Sequence, residues 1–372
     1  MAFEYETLIE TVAATAAKHA VAVDGGAFPT ESVRALGDAG LLGLISSPEV
    51  GGKGLGMAEA AHVVERLARE CGSTAMVTCM HYCATATIEA QGPLEIRKAI
   101  AAGKHLSTLA FSEVGSRSHF WAPMGSATAE GPQARLDGKK SWVTSARHAD
   151  SYVWSSKPMV GTEASTLWLV PRELTGLRIA DAGFDGLGLR GNDSSPITAE
   201  AARVPVGAML GADGAGFGTM MGVVLPWFNV LSTAVSLGFM NAAVAKTVAH
   251  VTGAKLQHLG AGLADLPTLR AYIARMKIQT DQTHALLADT LAAITGGRAD
   301  ATLRVLESKA ASGENATAVT DIAMRVCGGA AFRKEVGVER VFRDARASLV
   351  MAPTADVLYD FIGKAVCGLP LF

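Results

Sequence analysis

The stretch LDGKKSWVTSARHADSYV, residues 136–153, decides the fold because it reads as β-structure in the middle of a chain that is helical on both sides. Its β-type runs are separated by the turn sequence Asp137-Gly138-Lys139. Runs of this kind recur at near-regular spacing over residues 106–111, 134–136, 141–144, 151–155, 165–170 and 197–204. Short strands at such spacing predict a small sandwich or barrel.

Helical patterns flank this region. Before it, apolar residues recur at helical spacing over residues 6–23, 30–39, 57–70 and 73–89, and Pro93 opens a further helix. The segment 73–89 is apolar nearly all round, which predicts a central place in its bundle. After the β region, helices are predicted over 220–251, 266–295 and 299–325, with a last one after Pro353. Long helices with short links are typical of a four-helix bundle.

The predicted fold class is therefore α+β. Its parts are an N-terminal helical domain (1–108), a central β-barrel or sandwich (109–214) and a C-terminal four-helix bundle (215–372).

Composition excludes several classes of function. Apolar residues make up 49% of the 372 residues, and the net charge is −2 without a long basic block, which disfavours nucleic acid as a partner. No run reaches ~18 consecutive apolar residues, so a membrane span is not predicted. The N-terminus carries three acidic residues in its first ten and lacks the basic start of a secretion signal, so a cytoplasmic location is expected.

The cysteines do not indicate disulfides or a metal site. There are five, without a CxxC pair, which is typical of reduced thiols in a cytosolic protein. Cys79 and Cys83 flank His81, but residues two apart on a helix point in different directions. No metal ion is therefore predicted.

Four blocks together resemble the acyl-CoA dehydrogenase family in their order and spacing. They are LAFSEVGSRSHF (109–120), LDGKKSWVTSARHADSYV (136–153), LGLRGNDSSPITAEAARVPVGAMLGADGAGF (187–217) and AMRVCGGAAFRKEVGVERVFRDARA (323–347). The resemblance implies an FAD held between the β domain and the bundle, in a homotetramer or homodimer whose subunits share the cofactor site. It also implies an acyl-CoA or acyl-carrier thioester as substrate and an electron-transfer partner.

The resemblance assigns cofactor contacts to particular residues. The flavin ring would meet the backbone around Phe111, the hydroxyls of Ser112 and Thr144, and the indole of Trp142. The remaining cofactor contacts would come from Ser118 on the phosphate side, Thr354 and Asp356 beside the adenine half, and Arg325, Gly328 and Gly329 at a neighbouring subunit's dinucleotide. Taken singly, Trp142 is equally typical of a β-core tryptophan, Ser112 and Thr144 of strand hydroxyls, and Gly328-Gly329 of a helix stop.

The sequence departs from the family at the catalytic base. Counting from Arg343, the usual glutamate position holds Ala352, and the alternative position on the first bundle helix reads Leu225-Pro226-Trp227-Phe228-Asn229, without a carboxylate. Loss of a general base typically costs ~10²–10⁴ in rate. The first candidate for a substitute is His81, although a satisfied core histidine is the commoner interpretation of such a residue; the further candidates are Glu113, His119, His258 and Asp356.

Two further departures concern phosphate contacts. Leu256 stands where the family has an arginine that meets phosphate, and the family's Gly-Ser-Asp reads Arg117-Ser118-His119. The favoured hypothesis is an FAD-dependent oxidoreductase that carries out α,β-oxidation of an acyl thioester with a displaced base. The alternatives are non-dehydrogenase chemistry on the same fold (a flavin monooxygenase, or elimination of sulfinate from a thioester) and a non-catalytic flavin- or acyl-binding scaffold.

Overall fold

The structure is a computed structural model that describes residues 5–258 and 260–371. Helices come first, at Glu6–Asp24 (α1), Thr30–Asp38 (α2), Met57–Ala68 (α3), Gly72–Gln91 (α4) and Leu94–Ala101 (α5). Strands follow at Ser107–Ala110 (β1), Ser126–Glu130 (β2), Gln133–Val143 (β3), Ser151–Ser156 (β4), Thr166–Pro171 (β5), Leu177–Ile179 (β6) and Ser195–Pro205 (β7).

Helices then return to the end of the chain. They are Gly216–Thr219 (α6), Leu225–Gly253 (α7), Pro267–Thr295 (α8), Ala301–Cys327 (α9), Val338–Ala345 (α10), Ala347–Val350 (α11) and Ala355–Val366 (α12), with short strands at Lys255–Leu256 (β8) and Ala261–Gly262 (β9). The predicted α+β class, with helices on both sides of a β domain, is confirmed.

Helix α4 is the centre of the N-terminal part. Every residue from Gly72 to Ile88 except Met80 is buried, because α4 packs against α3, α7 and β1. This placement confirms the interpretation of an all-round apolar helix as a central one.

The β domain is a sandwich of two sheets. One has the order β1-β4-β5, with β1 parallel to β4, and the other is antiparallel in the order β2-β3-β7-β6. Tyr152, Trp154 and Trp168 of the first sheet share a buried core with Leu136 and Ile197 of the second. The large aromatic side chains fill the space between the sheets.

The predicted turn at residues 137–139 is wrong, since β3 continues through it. The pairing of β3 with β7 shifts in register between Leu136 and Gly138, and again between Lys140 and Val143. A Cβ on Gly138 would lie 3.1 Å from the Cα of Gly125, so glycine permits this close approach of two backbones. Strands β2 and β6 and helix α10 were not predicted; β2 and β6 are short and largely unburied, so they lack an apolar pattern.

Helix α7 is the main helix of the C-terminal bundle and packs against α3, α4, α8 and α9. A π-helical turn, Met220–Val224, precedes it, and Pro226 stands in its first turn, where proline needs no hydrogen-bond partner for its nitrogen. The combined helix Gly216–Gly253 is long and apolar enough to cross a membrane, but 83% of its most apolar window is buried inside the fold. That burial is typical of a core helix.

Two residues of α10 join the three parts of the chain. The guanidinium of Arg343 donates to both carboxylate oxygens of Asp24 in α1, at 2.8 and 2.7 Å. The neighbouring Asp344 accepts a hydrogen bond of 2.7 Å from the backbone N–H of Leu189 in the β domain. These contacts tie α10 to α1 and to the β domain.

Candidate active site

A cavity of about 740 Å³ lies between the β domain and the helices. We call its two sides the β wall and the helical wall. The β wall is formed by Phe111, Ser112, Trp142, Thr144 and Phe184, and the helical wall by Met76, Met80, Val224, Phe228, Met351 and Ala352.

Trp142 dominates the β wall. Its indole is 59% exposed and stacks on Phe184, with 4.0 Å between the ring centroids. Its backbone has a φ of 55°, a left-handed value that is rare for an aromatic residue, and it lies within the second register shift of β3. The irregular pairing and the left-handed backbone thus set the direction of the indole, which in a regular strand would follow from the alternation of side chains between the two faces of the sheet.

Hydroxyl groups surround the indole. The side chains of Ser112 and Thr144 line the cavity and make no hydrogen bond to another residue in the described part of the chain. Ser112 is held in place by its backbone carbonyl, which accepts a 2.8 Å hydrogen bond from the N–H of Ser141. An exposed aromatic face beside free hydroxyls fits the flavin expected from the resemblance, because a planar ring with polar edges needs both.

Ser118 and Thr354, both expected at the cofactor, meet directly. The Ser118 hydroxyl donates to Thr354 Oγ1 at 3.2 Å and accepts from the Thr354 N–H at 2.9 Å. Since Thr354 precedes α12, this pair ties a loop of the β domain to the C-terminal helices at the edge of the cavity.

Glu113 is the only carboxylate among the described residues that line the cavity, and it is fully engaged. Its Oε1 lies 2.6 Å from Nζ of Lys140, and its carboxylate also accepts from the N–H groups of Met124 and Gly125. Burial lowers the pKa of Lys140 to about 8. A carboxylate held by an ammonium and two amides is a poor proton acceptor.

The helical wall is apolar at Ala352, the position where the resemblance leads us to expect a glutamate. Ala352 lines the cavity, and behind it Lys309 of α9 donates to the carbonyl oxygens of Met351 and Pro353, at 3.0 and 2.7 Å. Lys309 is 2% exposed and pairs with no carboxylate among the described residues. Burial lowers its pKa to about 7.

The expectation that His81 lines the cavity as a base is wrong. Its side chain is fully buried; Nε2 donates to the Leu42 carbonyl at 3.0 Å, and Nδ1 accepts from the Ser107 N–H at 3.2 Å. Both ring nitrogens of the neutral imidazole are therefore used, and desolvation lowers its pKa to about 4. Met76 and Met80 face the cavity, whereas the next residue is turned by about 100° around α4.

The other candidate bases also lie away from the large cavity. His119 and Asp356 line a separate cavity of about 380 Å³, together with Trp121, Asp360 and Lys364. His258 is exposed in the turn after β8. The described lining of the large cavity thus contains no free imidazole and no free carboxylate.

Arg325, Gly328 and Gly329 are exposed at the end of α9. The Arg325 guanidinium lies 4.7 Å from the ring centre of Tyr272, and Gly328 has a φ of 56°, which favours glycine. Their expected contacts with a neighbouring subunit's cofactor stay a prediction.

Sequence reasoning missed Phe184 and Lys309. Phe184 lies outside the β-type runs, and its partner Trp142 is far from it in sequence. Lys309 belongs to a regular helix, and only the packing of α9 on the segment 351–353 reveals its position.

Comparison with known proteins agrees with this architecture. Models of the acyl-CoA dehydrogenase N-terminal, middle and C-terminal domains match residues 4–103, 108–202 and 214–367. The probable acyl-CoA dehydrogenase YngJ of Bacillus subtilis is 26% identical over 354 residues, covering 92% of this chain and 91% of that protein.

The short-chain specific acyl-CoA dehydrogenase of Bos taurus mitochondria is 27% identical over 337 residues, covering 89% of this chain and 81% of that protein. Butyryl-CoA dehydrogenase of Megasphaera elsdenii has the same fold, with a TM-score of 0.89 over 99% of this chain and 100% of that one, at 20% identity.

The family matches confirm the resemblance, and with it the oxidoreductase class and the FAD cofactor that it implies. The chain belongs to the acyl-CoA dehydrogenase family of FAD-dependent oxidoreductases, which act on CH–CH bonds.

Proposed function

We propose that the protein binds FAD against the β wall and an acyl thioester against the helical wall, and oxidises the acyl chain without a carboxylate base of its own. The observation that carries this proposal is Ala352 in the helical wall, in a cavity whose one described carboxylate, Glu113, is already paired with Lys140. The apolar side chains of Met76, Met80 and Phe228 suit the acyl part of the substrate.

The chain's own residues bind and orient. Trp142 supplies an aromatic surface, and Ser112 and Thr144 supply hydrogen bonds to the polar edges of the ring. FAD held by these residues would supply the acceptor for the hydride that leaves the β-carbon of the acyl chain. The α-proton then goes to water or to a basic group of the substrate, since the described lining offers no acceptor.

The visible spectrum of the purified full chain tests this function. Anaerobic addition of saturated acyl-CoAs of several lengths should bleach the flavin band, and the rate should rise with pH because hydroxide or a substrate base replaces a fixed carboxylate. A flavin that no acyl-CoA bleaches at any pH between 6 and 10 would contradict oxidation.

A second function is favoured by Lys309, a buried lysine with no carboxylate partner in the described chain, directly behind Ala352. In its protonated form this lysine would attract an anionic substrate group across the wall, and the anion would in turn favour protonation. The corresponding reaction is the release of sulfite from a sulfinate-bearing thioester. The carbon–sulfur bond breaks, the carbon takes a proton from water and the sulfur takes the hydroxide, without net oxidation.

Sulfite release separates the two functions. Oxidation predicts flavin bleaching by saturated acyl-CoAs and no sulfite, whereas elimination predicts sulfite from a 3-sulfinoacyl-CoA with the flavin still oxidised. If neither occurs and the flavin stays bound, the non-catalytic scaffold becomes the better account.

We further infer a homo-oligomer and a cytoplasmic location for the enzyme, with an electron-transfer protein as its oxidant and CoA or an acyl-carrier protein as the thioester carrier. The exposed glycine pair Gly328-Gly329 supports the oligomer, because it leaves room for close approach by another subunit's ligand. Light scattering of the purified chain tests this part, and a monomeric mass would contradict it.

A further inference from the structure

Asn229 is a buried amide without a partner inside the C-terminal bundle. Its side chain is fully buried on α7, and neither Oδ1 nor Nδ2 makes a hydrogen bond to a residue in the described part of the chain. An asparagine side chain offers two donors and two acceptors, so all four positions are unused. Because a buried amide without hydrogen bonds is costly, such a group in a folded protein points to a molecule that satisfies it.

The polar groups near Asn229 lie between α7 and α9. Thr233, one turn further along α7, is on the same face of the helix as Asn229. Its hydroxyl oxygen lies 3.4 Å from the hydroxyl oxygens of both Ser308 and Ser312 in α9. The buried polar side chains between these two helices, which we call the polar seam, are Asn229, Thr233, Ser308 and Ser312.

The hydroxyl protons of the polar seam are used within the two helices. Each hydroxyl donates to a backbone carbonyl of its own helix, Thr233 at 2.8 Å, Ser308 at 3.0 Å and Ser312 at 3.1 Å. The 3.4 Å contacts between hydroxyls are long, since a good hydrogen bond of this type measures ~2.7–2.8 Å. The three oxygens can therefore still accept hydrogen bonds, and a molecule bound beside them would be a donor.

Lys309 of α9 ends at the same level of α7. Its Nζ donates to the carbonyl oxygens of Met351 and Pro353 and lies 5.8 Å from the ring centre of Phe228, the residue before Asn229. Beyond these two hydrogen bonds Nζ has one more position, a third proton when it is charged and a lone pair when it is neutral. No described residue fills that position. A second buried group with unused hydrogen-bonding capacity thus lies close to the seam.

We propose that the polar seam binds an ordered water molecule that bridges the Asn229 amide and Nζ of Lys309. The water would accept a hydrogen bond from one of these groups and donate its own protons to the seam oxygens, which is the usual arrangement of a buried water. An anion is disfavoured because the hydroxyls have no protons left to donate to it. A metal ion is disfavoured because the seam contains no carboxylate, imidazole or thiolate and lies beside a lysine.

The proposal goes beyond both reactions considered above and depends on neither. It bears on the charge of Lys309, because a water that accepts from Nζ stabilises the protonated form. The titratable group that faces Lys309 from α4 is the Cys79 thiol, and the segment after α11 presents the carbonyl oxygens of Met351 and Pro353. Hydration of the seam therefore helps to set the pH at which this lysine changes its charge.

A crystal structure of the full chain, at a resolution that shows ordered water, tests the site directly. We expect a water within hydrogen-bond distance of both the Asn229 side chain and Nζ of Lys309. If the amide instead bonds only to protein groups, or if the seam holds no water, the proposal is wrong. This measurement needs no variant, so it decides the question even if a substitution in the bundle prevents folding.

Asn229→Leu tests the link to Lys309, because leucine has nearly the same shape as asparagine and no polar group. Without the water, the folded-state pKa of Lys309 should fall by about one unit, the effect of one lost hydrogen bond to the charged form. Since that pKa is about 7 in the wild type, the pH above which the free energy of unfolding begins to rise should move from about 7 to about 6. Denaturant unfolding over this pH range measures the change.

Asn315→Leu is the matched control. This asparagine also lies in the bundle, on α9, but its Nδ2 donates directly to the Thr283 hydroxyl at 2.9 Å. Its replacement should lower the melting temperature and leave the pH onset at about 7. A control that shifts the onset as far as Asn229→Leu does would show that the shift is not specific to the seam, and the inference would fail.

The melting temperature of Asn229→Leu gives an independent readout. If a water bridges the amide, the variant should melt about 2–4 °C lower than the wild type, because the remaining partners of the water lose it. An amide that binds nothing would be better replaced by leucine, so the variant would melt higher. A higher melting temperature with an unchanged pH onset overturns the inference, whereas bleaching of the flavin by acyl-CoA, on which the proposed function depends, is unaffected by that result.

Discussion

The two walls of the cavity differ in the kind of side chain that they present. The β wall offers an exposed indole at Trp142 and free hydroxyls at Ser112 and Thr144, on a strand whose register shifts within the site. The helical wall offers methionine, phenylalanine and alanine side chains, and Lys309 behind it is turned toward carbonyl oxygens. The groups that suit a cofactor and the position expected to hold a base come from different elements, so a substitution in one wall leaves the other wall unchanged.

The largest expected effect comes from giving the helical wall a base. Ala352→Glu should increase the rate of flavin reduction by a saturated acyl-CoA by ~10²–10⁴-fold, since a carboxylate in the wall would accept the α-proton. Ala352→Gln has nearly the same shape and no basicity, so stopped-flow rates for the two variants isolate proton transfer. Equal rates for Ala352→Glu and Ala352→Gln would show that a carboxylate at this position does not speed removal of the α-proton, so that its absence is not what limits the reaction.

The pH dependence of stability tests whether Lys309, behind the helical wall, is charged in the folded protein. Its pKa is about 7 in the folded protein against an ordinary value of 10.5, so between these values the unfolded chain binds more protons and stability rises with pH. The rise from pH 7 to pH 9 should be about 2–3 kcal/mol in the free energy of unfolding. Below pH 7 both states are protonated, and this contribution no longer changes.

Lys309→Met should remove that rise, whereas Lys277→Met, which alters an exposed lysine of α8, should keep it. Denaturant unfolding at both pH values makes the comparison. An unchanged slope in Lys309→Met would show that the lysine keeps its charge in the fold over the whole range.

On the β wall, Trp142→Ala should weaken FAD binding by about tenfold, the typical contribution of one aromatic contact. Trp142→Phe keeps an aromatic face and should retain most of the affinity. Because the indole is 59% exposed, neither variant should greatly change the melting temperature of the flavin-free protein. Equal FAD affinity in wild type and Trp142→Ala, measured by flavin fluorescence, would remove Trp142 from the cofactor site.

The smallest effect on the reaction is expected at His81. His81→Phe should leave the flavin reduction rate unchanged while destabilising the fold by about 1–3 kcal/mol, because the Leu42 carbonyl and the Ser107 N–H lose their partner. His258→Phe, at an exposed turn, should change neither quantity. A rate that falls in His81→Phe beyond its loss of stability would restore a catalytic role to this histidine.

The sequence predicts the succession of helices, strands and helices because periodicity and turn residues are local signals, and the resemblance supplied Trp142 and Thr144 on the β wall. It could not predict the direction of His81, since α4 is apolar nearly all round and its pattern marks no single face toward the cavity. The sequence also predicted a turn at Gly138, whereas this glycine lies within a strand and permits close contact between two backbones. Lys309 behind Ala352 depends on packing between distant segments, which no local pattern contains.

The π-helical turn Met220–Val224 determines how a change of one residue in chain length would affect the cavity. A π turn contains one residue more than a turn of α-helix, and Val224 at its end lines the cavity. Deletion of one residue here would let the turn close to α-helix while the helical faces on either side keep their directions, whereas a deletion within regular α7 would rotate the two parts of the helix by about 100° relative to each other. A length change of one residue at this turn therefore alters the cavity locally, at Val224, and leaves the rest of α7 in place.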